Sequence, residues 1–183
     1  MSLESKTVVL GVTGSIAAYK APTLARKLQS EGAEVIVVMT EAGTKLVDPL
    51  TFRSLTGRAV PVDMFEPSTD WQIEHISLSD KADLFLIAPA TANTIGKIAN
   101  GIADNLLTCA VMATKAPVLV APAMNVNMYE NPIVQENIER LEELGYSFVG
   151  PKVGKLATGI EGKGPLADVD DIVAKAQELL KGR

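Results

Sequence analysis

Apolar residues along the chain gather into short unbroken runs, separated by segments with helical periodicity. The first run, Thr7 to Val12, is rich in Val and Leu and does not alternate with polar positions. Such a run predicts a strand covered on both faces, as in a parallel sheet. Glu34 to Met39, Leu84 to Ala88 and Pro117 to Ala121 repeat the pattern, and Tyr146 to Val149 is a shorter fifth instance. After the first strand, Ala17, Ala21, Leu24, Ala25 and Leu28 recur at helical spacing, and Gly32 stops the stripe. Further helical segments fall over 91–99, 104–114 and 132–144; the last has Asn131 as cap, Pro132 in its first turn and Gly145 at its end. A final helix starts at Asp168, with Asp171 in the capping-box position and Ile172, Val173, Ala176, Leu179 and Leu180 on its apolar face. Met1 to Lys6 carries no recognisable element and is given no structural weight.

Strands that alternate with helices imply right-handed βαβ units, hence an α/β fold with a doubly wound parallel sheet between two helical layers. The 183 residues suit one domain, 1–183, without room for two. At 47% hydrophobic and 21% charged, the composition is that of an ordinary globular core. The charge balance is 17 Lys+Arg against 22 Asp+Glu, or −5, and no basic stripe offers a footprint for nucleic acid. Cys109, the single cysteine, cannot form an internal disulfide, and with one histidine the usual Cys/His zinc sets are lacking. No metal site is expected. No apolar run approaches the ~18 residues of a membrane-crossing helix, and the N-terminus has no signal pattern, so a cytoplasmic protein is expected.

In a doubly wound sheet, ligands sit beyond the carboxyl ends of the strands. The unusual clusters of this sequence all fall there. Gly14-Ser15-Ile16 turns the first strand into a helix and offers N–H groups and a hydroxyl to an anion. It is neither G-x-G-x-x-G nor a P-loop, and it reads equally as a tight turn that binds nothing. The second strand ends in Thr40, whose hydroxyl suits a phosphate better than a ribose diol. At the third strand end stands Ala88-Pro89-Ala90-Thr91-Ala92-Asn93-Thr94. One helix cap needs one polar residue, and three within four positions favour a site. The fourth strand ends in Pro122-Ala123-Met124-Asn125-Val126-Asn127-Met128, which is either a site or a loop that only turns the chain. His75 precedes the third strand; a lone histidine is more often structural or exposed than catalytic. The glycine-rich stretch from Gly154 to Pro165 reads as a flap or an irregular excursion. Its lysines, Lys155 and Lys163, serve either an anion or the solvent.

Together, GVTGSIAAYK, the His75 segment, APATANTIGKIANGIADNLLT, PAMNVNMYENP and GKLATGIEGKG resemble the flavin-containing cysteine decarboxylases, in the same order and over nearly the whole chain. The closest likeness is to the phosphopantothenoylcysteine decarboxylase branch of coenzyme A biosynthesis, with PATANT and PAMNxxM the specific segments. The resemblance implies a Rossmann-like flavoprotein that binds FMN and assembles as trimers, often grouped into dodecamers. It puts the FMN phosphate and ribityl near Gly14, Ser15, Ile16 and Thr40, and the rest of the cofactor along Thr91, Ala92, Asn93, Thr94 and Ala123. His75 matches the catalytic base and would face the flavin of a neighbouring subunit. Asn125 and Met128 match positions that hold the substrate, with Asn125 catalytic on its carboxylate side, and the glycine-rich segment matches a clamp over it. The implied chemistry is oxidation of a cysteine side chain to a thioaldehyde, loss of carbon dioxide to an aminoenethiol, and, in the coenzyme A enzymes, reduction to 4′-phosphopantetheine.

Two positions depart from the pattern. Thr158 stands where the clamp has a cysteine, and Pro165 where an arginine is common. A threonine hydroxyl is no acid equivalent to a thiol of pKa near ~8.5, so the final reduction has less support than the decarboxylation. Peptidyl-cysteine decarboxylases, which stop at the enethiol, are therefore an alternative. A flavin reductase or electron carrier is a second one, disfavoured by Asn125 and the glycine-rich segment; a flavin prenyltransferase fits the first turn less well. A phosphopantothenoylcysteine synthetase, fused or separate, is the implied partner.

Overall fold

The structure is a computed structural model that describes residues 3–65, 74–155, 159 and 161–181. Strands β1 (Thr7–Val12), β2 (Glu34–Met39), β3 (Leu84–Ala90), β4 (Val118–Pro122) and β5 (Ser147–Phe148) form one sheet in the order β2-β1-β3-β4-β5. Every pairing in it is parallel. The unbroken apolar runs have their expected cause, because the pleat sends alternate residues of each strand into two different cores. Val8, Leu10, Val12, Leu84 and Leu86 face one side, while Val9, Phe85 and Ile87 face the other.

The first core is closed by α1 (Ala21–Ser30), α3 (Pro49–Thr56) and α9 (Val169–Leu179). The second lies under α4 (Glu74–Lys81), α5 (Ala92–Ala99), α6 (Leu106–Ala113), α7 (Val126–Tyr129) and α8 (Pro132–Glu143). A single turn, α2 (Glu41–Thr44), follows β2. No helix among the described residues is long and apolar enough to cross a membrane.

Some sequence expectations are corrected. Ala17 belongs to a separate 3₁₀ turn, Ile16–Lys20, because Pro22 lies in the first turn of α1 and can continue no helix behind it. The N-terminal segment does carry structure: Leu3 is buried in the first core and its N–H donates to the Glu31 carbonyl at 2.7 Å. Asp168 makes no side-chain capping bond. Its carboxylate instead pairs with the Lys152 ammonium, which holds the acid below the usual carboxylate range. The glycine-rich stretch is, in its described part, an antiparallel ribbon of β6 (Val153–Lys155) and β7 (Glu161–Lys163), with Gly154 opposite Gly162.

Candidate functional site

The strand order reverses direction between β1 and β3, and the crevice at such a switch point is where α/β sheets place ligands. Thr13 lies at the end of β1, almost wholly buried. Its Oγ1 donates to the Pro89 carbonyl at 2.7 Å and accepts the Thr91 N–H at 3.1 Å. Two residues on, Ser15 Oγ donates to the Ala123 carbonyl at 2.9 Å and accepts the Ala17 N–H at 3.3 Å. These two hydroxyls tie the β1 turn to the ends of β3 and β4. Gly14 packs against α2 so closely that a methyl group on it would stand 2.6 Å from the Ala42 side chain. Thr40 caps that turn, accepting the Gly43 N–H at 3.1 Å.

Gly14, Ser15, Ile16, Thr40, Thr91, Ala92, Asn93, Thr94 and Ala123 are thereby drawn to one end of the sheet, around the switch point. Their roles divide. Ser15 has already committed its proton to Ala123, so the hydroxyl expected to meet an anion is a fastener in this structure. Thr91 and Thr94 satisfy one another: Thr91 Oγ1 accepts the Thr94 N–H at 3.2 Å, and the two hydroxyls lie 3.1 Å apart. The Asn93 side chain is exposed and makes no hydrogen bond to the described residues. Of the three polar residues at this helix start, Asn93 is the one whose side chain is wholly uncommitted, while the Thr91–Thr94 pair keeps one hydroxyl proton.

At the end of β4, Asn125 caps α7 through Oδ1, which accepts the Asn127 N–H at 2.9 Å. That bond fixes the amide plane and leaves two N–H donors. Met128 is half exposed on the same short helix. The β6–β7 ribbon lies beside them: the Met124 N–H donates to the Gly164 carbonyl at 3.1 Å, and the Lys163 ammonium stands 5.2 Å from the Tyr129 ring centre. His75, half-buried near the start of α4, has no hydrogen bond or ion pair to this cluster among the described residues. Thr158 lies outside the described residues.

Thr13 is the residue that sequence reasoning passes over. A threonine between an apolar strand and Gly14 reads as a turn, and nothing local announces partners 76 and 78 positions away. Thr13→Val keeps the shape but orphans a carbonyl and an N–H in a buried place. We expect a loss of about 1–3 kcal/mol in denaturant unfolding, with weaker ligand retention at the switch point.

The model of the flavoprotein family matches residues 1–181. The chain belongs to the flavoprotein family. This flavoprotein is 48% identical over 176 residues to the coenzyme A biosynthesis bifunctional protein CoaBC of Bacillus subtilis, which covers 96% of the chain and 43% of that relative. The chain thus spans less than half the length of the bifunctional relatives it matches. It is 44% identical over 178 residues to the "Probable phosphopantothenoylcysteine decarboxylase" of Streptococcus mutans, covering 96% of the chain and 99% of the relative. Among solved structures, a mutant PPC decarboxylase complexed with pantothenoylaminoethenethiol superposes at TM-score 0.87, with 34% identity over 97% of this flavoprotein and 99% of that chain. The FMN binding protein AtHal3 superposes at 0.85, also at 34% identity, over 98% and 99% of the two chains.

Proposed function

We propose that this flavoprotein binds FMN and decarboxylates 4′-phosphopantothenoylcysteine to 4′-phosphopantetheine, a step of coenzyme A biosynthesis. The observation that carries the reading is the gathering of four strand-end clusters around the β1/β3 switch point, in a chain 44% identical to a relative of the same length that bears this activity in its name. The residues present fit a flavin nucleotide. Thr40 keeps a hydroxyl proton to give, Asn93 keeps an amide, and the small side chains of Ala92 and Ala123 let a flat ring approach the main chain. In this reading Gly14, Ile16 and Thr40 hold the phosphate and ribityl on a turn that Ser15 fastens, and 91–94 with Ala123 hold the ring. When bound, FMN would supply the two-electron acceptor for oxidation of the substrate cysteine and, once reduced, the electron donor for the final reduction.

The protein's own part is to orient and to move protons. Asn125, its Oδ1 pinned by the cap, presents two N–H donors to the substrate carboxylate, and Met128 packs against the substrate. A ring nitrogen of His75 acts as the base. Because His75 has no bond to its own chain's cluster among the described residues, we assign it, as the resemblance implies, to a neighbouring copy's site in a trimer and in dodecamers built from trimers. Light scattering at micromolar concentration is expected to give a trimer or its multiple; a monomer overturns the shared site. The synthetase step that precedes this one falls to a fused domain or a separate partner. We place the protein in the cytoplasm, acting on a small molecule.

Turnover of phosphopantothenoylcysteine, compared with a peptide ending in cysteine, tests the substrate. Carbon dioxide release from the former is expected to dominate; the reverse preference transfers the protein to the peptidyl-cysteine enzymes. Asn93→Trp is expected to lower bound FMN, read from absorbance near the flavin band, while leaving the unfolding midpoint within a few degrees. Unchanged flavin content would remove Asn93 from the cofactor site.

A further inference from the structure

We propose that Gly162 is a positioning residue, whose missing side chain seats the β6–β7 ribbon on α7 and so sets its place beside Asn125 and Met128. The proposal rests on the substrate reading of α7 given above. A Cβ at Gly162 would stand 2.8 Å from Val126 Cγ2 and 3.2 Å from Cγ1. Carbon atoms in good contact lie about 3.5–4.0 Å apart, so one of the two elements would have to yield by about 1 Å. The backbone at Gly162 lies outside the left-handed region, so alanine is conformationally acceptable there and only space forbids it. Its cross-strand partner, Gly154, has no such need: a Cβ there would meet only Pro165 Cγ, at 3.8 Å.

Neither element yields easily. The two residues after Gly162 hold the ribbon to the residues that bracket α7, Lys163 over the Tyr129 ring and Gly164 through its carbonyl to the Met124 N–H. At the base of the ribbon, the Lys152 N–H donates to the Pro165 carbonyl at 2.9 Å and the Gly164 N–H to the Lys152 carbonyl at 3.2 Å. Lys152 is in turn paired with Asp168 at the start of α9. On the other side, Val126 is the first residue of α7, adjacent to the cap Asn125, and its β-branched side chain has little rotamer freedom in a helix. An added methyl must therefore lift the ribbon, and the lift is transmitted to the Gly164–Met124 bond. A misplacement of about 1 Å in an element that holds substrate costs up to ~10²-fold in rate.

The test uses the FMN-loaded protein and four variants: Gly162→Ala, Val126→Ala, the double variant, and Gly154→Ala. Gly162→Ala is expected to lose about 10- to 100-fold in kcat/KM for phosphopantothenoylcysteine at unchanged FMN content. In the double variant, where the clashing methyls are gone, kcat/KM returns to within about threefold of Val126→Ala alone, and Gly154→Ala leaves exchange of the Met124 amide as in the parent. A readout that needs no substrate runs alongside: hydrogen exchange of the Met124 amide is expected to quicken in Gly162→Ala and to slow again in the double variant. Unchanged Met124 exchange in Gly162→Ala, or a double variant no better than Gly162→Ala, overturns the proposal. Exchange that changes as expected across the variants, together with a parent that turns over neither phosphopantothenoylcysteine nor a cysteine peptide, leaves the seating in place and overturns the substrate reading instead.

Discussion

His75→Asn is expected to keep its FMN and lose decarboxylation by about 10²–10⁴-fold, the usual contribution of a general base. Asparagine preserves a hydrogen-bonding side chain of similar reach but takes up no proton near neutral pH. Flavin retention follows from where the residue sits, near the start of α4 and without a bond to the cluster formed by the ends of β1, β3 and β4. Single-turnover release of carbon dioxide and flavin absorbance, measured on one preparation, separate the two effects. Turnover within about threefold of the parent would return His75 to a structural role; loss of flavin along with activity would place it in the cofactor site.

The other large effect concerns how the reaction ends. The resemblance aligns Thr158 with a clamp position held by cysteine, and a threonine hydroxyl does not donate a proton near neutral pH as a thiol of pKa ~8.5 can. We nevertheless expect near-quantitative 4′-phosphopantetheine from a single turnover, because a proton can come from water or from an ammonium on the ribbon. Lys163 holds one over the ring of Tyr129, on the helix that carries Met128. Mass spectrometry of the quenched reaction distinguishes the outcomes by the two hydrogens that separate the enethiol from the thiol. Accumulated enethiol, cleared by Thr158→Cys, would show that the clamp thiol is indispensable and that the parent stops where the peptidyl-cysteine enzymes do.

The sheet was legible because its strands are covered on both faces. β1 and β2 fall on their expected residues, and β3 and β4 differ by one or two positions at their ends, where the register shifts between Ile87 and Ala90. The helices that escaped notice bury little. α3 contributes Phe52 as its buried residue, and α4 places Leu78 in the second core, so neither shows an apolar stripe. The ribbon escaped for a different reason: Gly154 and Gly162 face one another across it, and glycine has no side chain to alternate. At the site, composition located the strand ends but could not assign the hydroxyls. Thr13 and Ser15 are joined to residues 76 to 108 positions away, and only the folded chain reveals which protons are already spent.

Those long-range bonds have a consequence for how such a chain can change over generations. Thr13 and Ser15 grip the carbonyls of Pro89 and Ala123, which are main-chain atoms and persist whatever side chains replace their neighbours. The segment after β4 can therefore accumulate substitutions at its exposed positions while remaining docked to the first turn. A scaffold fastened in this way can exchange one cysteine-bearing substrate for another without first losing its grip on the cofactor.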